Sequence, residues 1–277
     1  MKRFVLVLII LICSFTVFGQ SKKTDWEFLN LIGQVKEHVL ITYNVKVKEG
    51  EIDKKPTKRE VQIFNKYGSL VERYFFNISS YNGDIYETLD YKEIYNFDDK
   101  AGKIGLDYYD SEGALTSRLE FKKDKLGNII EELTLVEKVI RDKTTYKYDK
   151  KGNLIEKVSS DKGKEIYKYN SNGNISEIEV YSIDYNYLSD KFILVYNDSG
   201  RLIEKQRFLN GDSFVYKYVY LYDDQDCMYE VSSINDMDEI LEKHLYKYDD
   251  KKNISEDTYF NGNELIELIQ HQYSFFN

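Results

Sequence analysis

Seven glutamates recur at one position of a repeating pattern: Glu72, Glu131, Glu156, Glu177, Glu204, Glu230 and Glu256 each stand four residues after the same turn position. A row of carboxylates can ladder cations or supply the acid and base of a glycosidase. Two strands separate successive copies, so neighbouring Glu residues would sit about 9.6 Å apart. That is too far for two of them to share one cation at ligand distances of about 2.3–2.6 Å. It nearly meets the spacing of about 5–9.5 Å that a glycosidase dyad needs, yet nothing distinguishes one pair from the rest. The simpler expectation pairs each Glu with a Tyr hydroxyl or a neighbouring Lys.

Tyrosine supplies the second set. Many of the 26 Tyr fall four and six residues before the same turn position. Left exposed, they could stack on sugar rings. Packed across strands, each aromatic–aliphatic contact adds roughly 0.2–1 kcal/mol to a sheet. The spacing favours packing, because the Tyr stands opposite an aliphatic residue in nearly every copy. Asp98-Asp99, Asp223-Asp224 and Asp249-Asp250 are acidic doublets at turns, but they lack the alternating Asp/Asn ligands and closing Glu of a calcium loop. His38, His244 and His271 are scattered along the chain, which speaks against zinc. Cys227 has no basic cluster beside it to activate a thiolate. No Gly-rich phosphate loop and no nucleophile elbow occurs. The residues thus offer no catalytic site, metal site or cofactor, and the binding residues stay unknown.

A repeat carries these columns. With Gly152 of Tyr146-Lys147-Tyr148-Asp149-Lys150-Lys151-Gly152-Asn153-Leu154-Ile155-Glu156 as position zero, seven further windows align on Gly68, Gly102, Gly127, Gly173, Gly200, Asp226 and Lys252. Position −3 is Asp or Asn in every window: Asn65, Asp99, Asp124, Asp149, Asn170, Asn197, Asp223 and Asp249. Position −4 is aromatic in six windows, and position +2 is aliphatic or Met throughout. Asp-x-x-Gly is a type I turn whose Asp caps its own amides, followed by a left-handed Gly that opens a bulged hairpin. Alternation then sets Tyr148 opposite Leu154 and Tyr146 opposite Glu156 on one face, with Lys147 and Ile155 on the other.

Shorter turns at Asn82-Gly83, Ser111-Glu112-Gly113, Asp161-Lys162-Gly163, Asn210-Gly211 and Asn261-Gly262 divide each repeat into two strands. Val39, Ile41, Tyr43, Val45 and Val47 alternate strictly and mark a long first strand. Asp25 to Leu31 is a lead-in or short helix, and polar Glu49 to Lys58, which holds the sole proline (Pro56), reads as a loop. The expected fold is all-β: an antiparallel up-and-down meander of repeated hairpins, roughly 16 strands, forming an elongated, coiled single sheet or a β-solenoid.

Lys2 and Arg3 followed by the apolar run Phe4 to Phe18 form a signal peptide over residues 1–19, with cleavage expected between Gly19 and Gln20. The run is short for a membrane span, so no stable span is expected after cleavage. Residues 20–58 then form the lead-in and first strand, and residues 59–277 the hairpin array. Cleavage removes Cys13 and excludes an intramolecular disulfide. It also makes the formal charge of −9 more negative by two. An acidic chain gains nothing from counterion release, which argues against nucleic acid, and it disfavours anionic lipid.

The window Tyr146 to Glu156 resembles the YD repeat of the RHS/YD-repeat superfamily. Tyr167 to Glu177, Leu194 to Glu204, Tyr220 to Glu230 and Tyr246 to Glu256 are weaker copies, and the likeness runs from about Glu60 to the C-terminus. Phe260-Asn261-Gly262 is similar to turns of MORN-like repeats. The resemblance implies a long coiled sheet of hairpins found in bacterial surface and secreted proteins. In large relatives the repeats build a hollow shell around a toxic C-terminal cargo. This chain is most similar to small stand-alone secreted members, and no activity carries over. The expectation is an exported protein (periplasmic, outer-surface or secreted) that acts as a binding scaffold for a protein or glycan. The alternative is a purely structural element of the cell envelope. An enzyme is not expected.

Overall fold

The computed structural model describes residues 24–99, 102–184 and 187–277. The expected signal peptide and its cleavage site lie outside the described residues. Helix α1 (Asp25–Phe28) opens them, capped by Thr24: its hydroxyl accepts from the Glu27 amide at 3.3 Å while the Glu27 carboxylate accepts the Thr24 amide at 2.6 Å. This capping box ties off a short helix where the sequence marks a lead-in.

Eighteen strands follow in chain order. The first four are long: β1 (Val35–Lys48), β2 (Glu51–Phe64), β3 (Leu70–Tyr81) and β4 (Asp84–Phe97). Then come β5 (Lys103–Asp110), β6 (Leu115–Lys123), β7 (Ile129–Val136), β8 (Val139–Tyr148), β9 (Leu154–Ser159) and β10 (Gly163–Tyr169). The rest are β11 (Ile175–Tyr181), β12 (Leu188–Tyr196), β13 (Leu202–Leu209), β14 (Ser213–Tyr222), β15 (Met228–Ile234), β16 (Ile240–Tyr248), β17 (Ile254–Asn261) and β18 (Glu264–Phe275). Each pairs antiparallel with its neighbours in sequence, as the meander requires.

The meander does not stay open. Strand β18 pairs along β1, from Val35↔Phe275 to Asn44↔Glu267, and the sheet closes into an 18-stranded barrel. This corrects the expected open coiled sheet or solenoid. The repeat fixes each strand's neighbours but carries no information on whether the first and last strands meet. Closure removes the two free edges that an open sheet would expose. A second correction concerns Glu49 to Lys58, expected as a loop. Most of it is the first half of β2, paired with β1 from Lys48↔Glu51 onward. The sheet accommodates Pro56 because it sits beside a bulge: Thr42 pairs with Lys58, Tyr43 with Pro56, and Thr57 is the extra residue.

The turns follow the expected chemistry. At Asp149 one carboxylate oxygen accepts the amides of Lys151 and Asn153, both at 2.8 Å. Asp226 and Lys252, which replace Gly at position zero, take the same left-handed backbone, with φ of 72° and 65°. At the irregular β4–β5 turn Asp98, not Asp99, caps: its carboxylate accepts the Gly102 amide at 2.8 Å.

A bulge after each turn revises the cross-strand register. Tyr148 faces Leu154 as expected, but the next rung is Lys147↔Glu156 and the one after is Tyr146↔Lys157. Ile155 is the extra residue, so Glu156 changes face. The same shift recurs at Lys168↔Glu177 and Lys247↔Glu256. The repeat's position −4 Tyr and position +4 Glu therefore lie on opposite faces of the sheet.

Burial identifies the inside. Phe64, Leu70, Leu106, Tyr167, Ile178, Tyr220, Val231 and Tyr246 are buried and lie on the Tyr parity. Inward side chains converge in a closed wall and cover one another. They form three separate clusters, around Val35–Phe64–Leu70, Tyr167–Ile175–Ile178 and Tyr220–Met228–Val231–Tyr246. On β1 the inward residues are His38, Leu40, Thr42 and Asn44, since His38 pairs with Tyr273. The alternating Val39, Ile41, Tyr43, Val45 and Val47 thus take the outward parity, where Val45 is nonetheless buried.

The lead-in crosses one end of the barrel. The Trp26 indole donates to the Val35 carbonyl at 2.7 Å, and Asp25 is held by Lys103 at 3.1 Å and by the Leu70 amide at 2.6 Å. Further along, the Asn253 side chain grips both backbone groups of Ile32, at 2.6 and 3.1 Å.

Candidate functional site

The columns singled out in sequence are structural. The Tyr at position −4 donates its hydroxyl to a backbone carbonyl of the preceding repeat. Tyr148 reaches Ile129 at 2.8 Å, Tyr169 reaches Leu154 at 2.6 Å, Tyr196 reaches Ile175 at 2.8 Å and Tyr222 reaches Leu202 at 2.9 Å. Tyr248 and Tyr273 do the same to Met228 and Ile254. Each accepting residue lies just past the last rung of its strand pair; β9 and β10, for instance, end at Glu156↔Ile166. The hydroxyl satisfies a half-buried carbonyl that the ladder leaves open. Burial pushes the Tyr148 and Tyr196 phenols up to about 12, so they remain donors.

The Glu column faces outward; Glu131, Glu156, Glu177, Glu204 and Glu256 pair with Lys, while Glu72 accepts from the Tyr74 hydroxyl and Glu230 from Ser232. Lys147 meets Glu156 at 2.5 Å, Lys247 meets Glu256 at 2.6 Å, and Lys168 meets Glu177 and Glu179 at 2.5 and 2.7 Å. The Lys168 bonds hold the Glu179 carboxylate below its usual range. The acidic doublets are used by their own turns: Asp223 accepts the amides of Gln225 and Cys227, and Asp249 those of Lys251 and Asn253. Cys227 is a free, half-buried thiol at such a turn. Among the described residues no three His, Cys, Asp or Glu side chains gather as a metal site.

Closure creates a cluster that sequence spacing hides. On the inner wall at the β18–β1 seam, His38 Nε2 lies 2.9 Å from His271 Nδ1, and His38 Nδ1 lies 3.2 Å from Gln62 Oε1. The Gln62 amide nitrogen donates to Glu60 at 2.6 Å. Arg73 donates to the same Glu60 oxygen at 2.8 Å and to Glu93 at 3.3 Å. Two strands to the other side, His244 Nδ1 stands 2.9 Å from Asp257. All three histidines, far apart in sequence, therefore lie on one stretch of wall from β16 to β1.

The pattern of partners assigns the tautomers. An ionised Glu60 only accepts, so Gln62 turns its NH2 toward Glu60 and its carbonyl oxygen toward His38. His38 Nδ1 then donates, its Nε2 accepts, and His271 Nδ1 donates to it. The chain of bonds ends at His271 Nε2, a buried lone pair with no hydrogen-bond partner among the described residues. Burial, reinforced by the Arg73 charge, pushes His38 down to about 4; burial, reinforced by His38, does the same to His271. Both rings are neutral at pH 7. Burial alone would lower Arg73, but Glu60 and Glu93 hold it well above its usual value. Burial also raises the Glu93 carboxyl, with Arg73 opposing, and raises Glu267 on β18.

Aromatic faces adjoin these polar groups. Tyr273 stacks on His38 with centroids 4.5 Å apart, and Phe75 stacks on Tyr91 at 4.1 Å with Arg73 4.8 Å from the Phe75 ring. The wall thus offers flat apolar faces beside hydrogen-bonding groups. The parity of β1 was the sequence signal for this site: His38 occupies the parity opposite to the alternating Val39, Ile41, Tyr43, Val45 and Val47.

Comparisons place this architecture. A porin-like protein from Bacteroides uniformis superposes with a TM-score of 0.50 at 7% identity, over 87% of this chain and 98% of its own. The TcdB2-TccC3 structure gives 0.39 at 10% identity, over 82% of this chain and 14% of its own. A putative outer membrane lipoprotein-sorting protein domain from Vibrio parahaemolyticus gives 0.28 at 10% identity, over 86% and 85%. At such identities the first supports a shared fold and nothing further. No curated protein matches the sequence. The Teneurin YD-shell family model matches residues 43–191, more than half of the chain, across strands that bear the Tyr–carbonyl bonds and outward Glu pairs described above. The chain belongs to the Teneurin YD-shell family.

Proposed function

We propose that this chain is an exported binding scaffold whose hollow barrel receives its ligand on the inner wall. The observation that carries the reading is the character of that wall. It bears neutral histidines, paired charges and stacked aromatic rings, and its apolar residues are split among three separate clusters. Barrels of 16–18 strands enclose space that side chains do not fill. Lys–Glu pairs on the outside, such as Lys147–Glu156 and Lys247–Glu256, suit water on that face; a lipid-facing band would be apolar. The exported location rests on the N-terminal charge and apolar run.

The ligand class is protein or glycan. Aromatic faces beside carboxylates favour a glycan, which offers C–H faces for stacking and hydroxyls for hydrogen bonds. The role is binding, not catalysis. The test is an oligosaccharide array on the full chain, repeated with Phe75→Ala and Tyr91→Ala, followed by calorimetry on any hit. The reading predicts a hit that either substitution weakens. Binding indifferent to both, or no binding to sugars or extended peptides, would remove it.

A second reading has an observation of its own. The buried Tyr hydroxyls bond backbone carbonyls, and the outer face is a Lys/Glu lattice, as expected of a purely structural envelope element. A folded, monodisperse barrel with no ligand in the array would favour it.

A further inference from the structure

The two ends of the barrel differ. The eight repeat turns aligned with Gly152 and the lead-in lie at one end. At the other, the connections from odd to even strands carry exposed apolar side chains. Val47 and Ile52 flank the β1–β2 turn, Tyr81 and Ile85 the β3–β4 turn, and Val139 and Ile140 the β7–β8 turn. Ile52 is 61% exposed, Ile85 65% and Val139 53%, so these side chains lack cover from their own chain.

The first two hairpins also rise past the closed wall. β1 pairs with β18 no further than Asn44↔Glu267, and β2 with β3 no further than Lys58↔Asn77. Beyond those rungs each hairpin is a two-stranded ribbon, which is marginal alone in water. Single exposed apolar residues need no explanation, but a ring of them around one rim marks a contact surface.

Charge indicates what the rim contacts. Acidic residues sit beside the apolar ones: Asp84 next to Ile85, Asp110 and Glu112 near Leu115, and Asp236, Asp238 and Glu239 around Met237. Lys46, Lys48, Lys54 and Lys55 offset the acids on the first hairpin, and Lys138, Arg141 and Lys162 those at the β7–β8 and β9–β10 turns; the remaining connections stay acidic. A second copy docked rim to rim would set these acids against one another. Anionic lipid would be repelled in the same way. A surface with apolar side chains flanked by Lys or Arg satisfies both features.

We propose that this rim is a docking surface for a cationic, amphipathic polypeptide segment, separate from the ligand-receiving inner wall. The segment lays its apolar side chains over the hairpin tips while its basic residues meet the flanking carboxylates. The site does not involve the seam histidines, so it stands or falls apart from the inner-wall reading.

The test uses the full chain and a fluorescein-labelled amphipathic peptide of Leu and Lys, followed by anisotropy. A Leu–Glu peptide of the same pattern is the counterpart. The Leu–Lys peptide should bind, and the Leu–Glu peptide should bind at least about tenfold more weakly. Ile52→Lys combined with Ile85→Lys should weaken Leu–Lys binding by at least about tenfold, because those positions are exposed and the fold does not depend on them. Glu156→Lys on the outer wall should change it far less. Equal binding of both peptides, an unaffected rim variant or an equal loss at Glu156→Lys would overturn the proposal. So would sedimentation with neutral phosphatidylcholine vesicles, or concentration-dependent dimers abolished by the rim variant.

Discussion

Acid should open the barrel seam before it protonates the ordinary carboxylates. His38 and His271 are neutral in the folded protein because burial pushes both down to about 4. In the unfolded chain each would titrate near 6.5. Between those values the unfolded state binds more protons, so stability is full above about pH 6.5 and falls as pH drops toward about 4. A difference of about 2.5 units at 1.36 kcal/mol each is about 3 kcal/mol for one ring, with up to about twice that for the pair. This is a large share of a typical stability of about 5–15 kcal/mol. Glu93 and Glu267 act with the opposite sign, since burial raises their folded values. A reference that keeps these carboxyls is therefore needed. The assay is urea unfolding at pH 7.5 and pH 4.5 for the wild type and for His38→Phe/His271→Phe, which retains the ring stacking. The wild type should lose about 3 kcal/mol more than the double variant. Equal losses would refute the reasoning. If the double variant does not fold, imidazole proton shifts of the wild type decide: His38 and His271 should still be neutral at pH 5.5.

Other perturbations follow from single contacts. Gly163 and Gly113 share a left-handed backbone (φ 91° and 85°), but a Cβ on Gly163 would lie 2.2 Å from the Tyr181 carbonyl oxygen while one on Gly113 meets nothing. Gly113→Ala should cost about 1–2 kcal/mol and Gly163→Ala at least about 3, measured by urea unfolding; equal costs would contradict the packing. Arg73→Met strands Glu60 and Glu93 on the inner wall and should cost about 3–5 kcal/mol at pH 7.5, with less lost at pH 5 as Glu93 takes a proton. A loss under 1 kcal/mol would mean the pair is solvated. Tyr222→Phe removes the bond to the Leu202 carbonyl and should lower stability by about 1 kcal/mol without changing the circular dichroism spectrum.

The position of the seam site explains why it was hard to read. Asp149, Gly152 and Tyr148 act within a dozen residues of one another, so their turn chemistry and pairing with Leu154 are legible from spacing. The register two rungs further on was not. The bulge at Ile155 moves Glu156 to the outer face, and an alternation rule with no insertion places it inside. Pro56 misled in the same way, because a proline excluded from a regular strand is tolerated beside the Thr57 bulge.

Sequence alone determined the repeat strands, the turns, the meander and the family pattern, because all of these depend on residues a few positions apart. Tertiary structure decided the rest. His38 and His271 are 233 positions apart and become partners only because β18 returns to β1. Whether a twisted sheet closes depends on the sum of small rotations over all eighteen strands, and no single window of the sequence records that sum. The same closure turned one parity of every strand into an inner wall, and so separated the Tyr column, which holds the barrel together, from the Glu column, which faces outward.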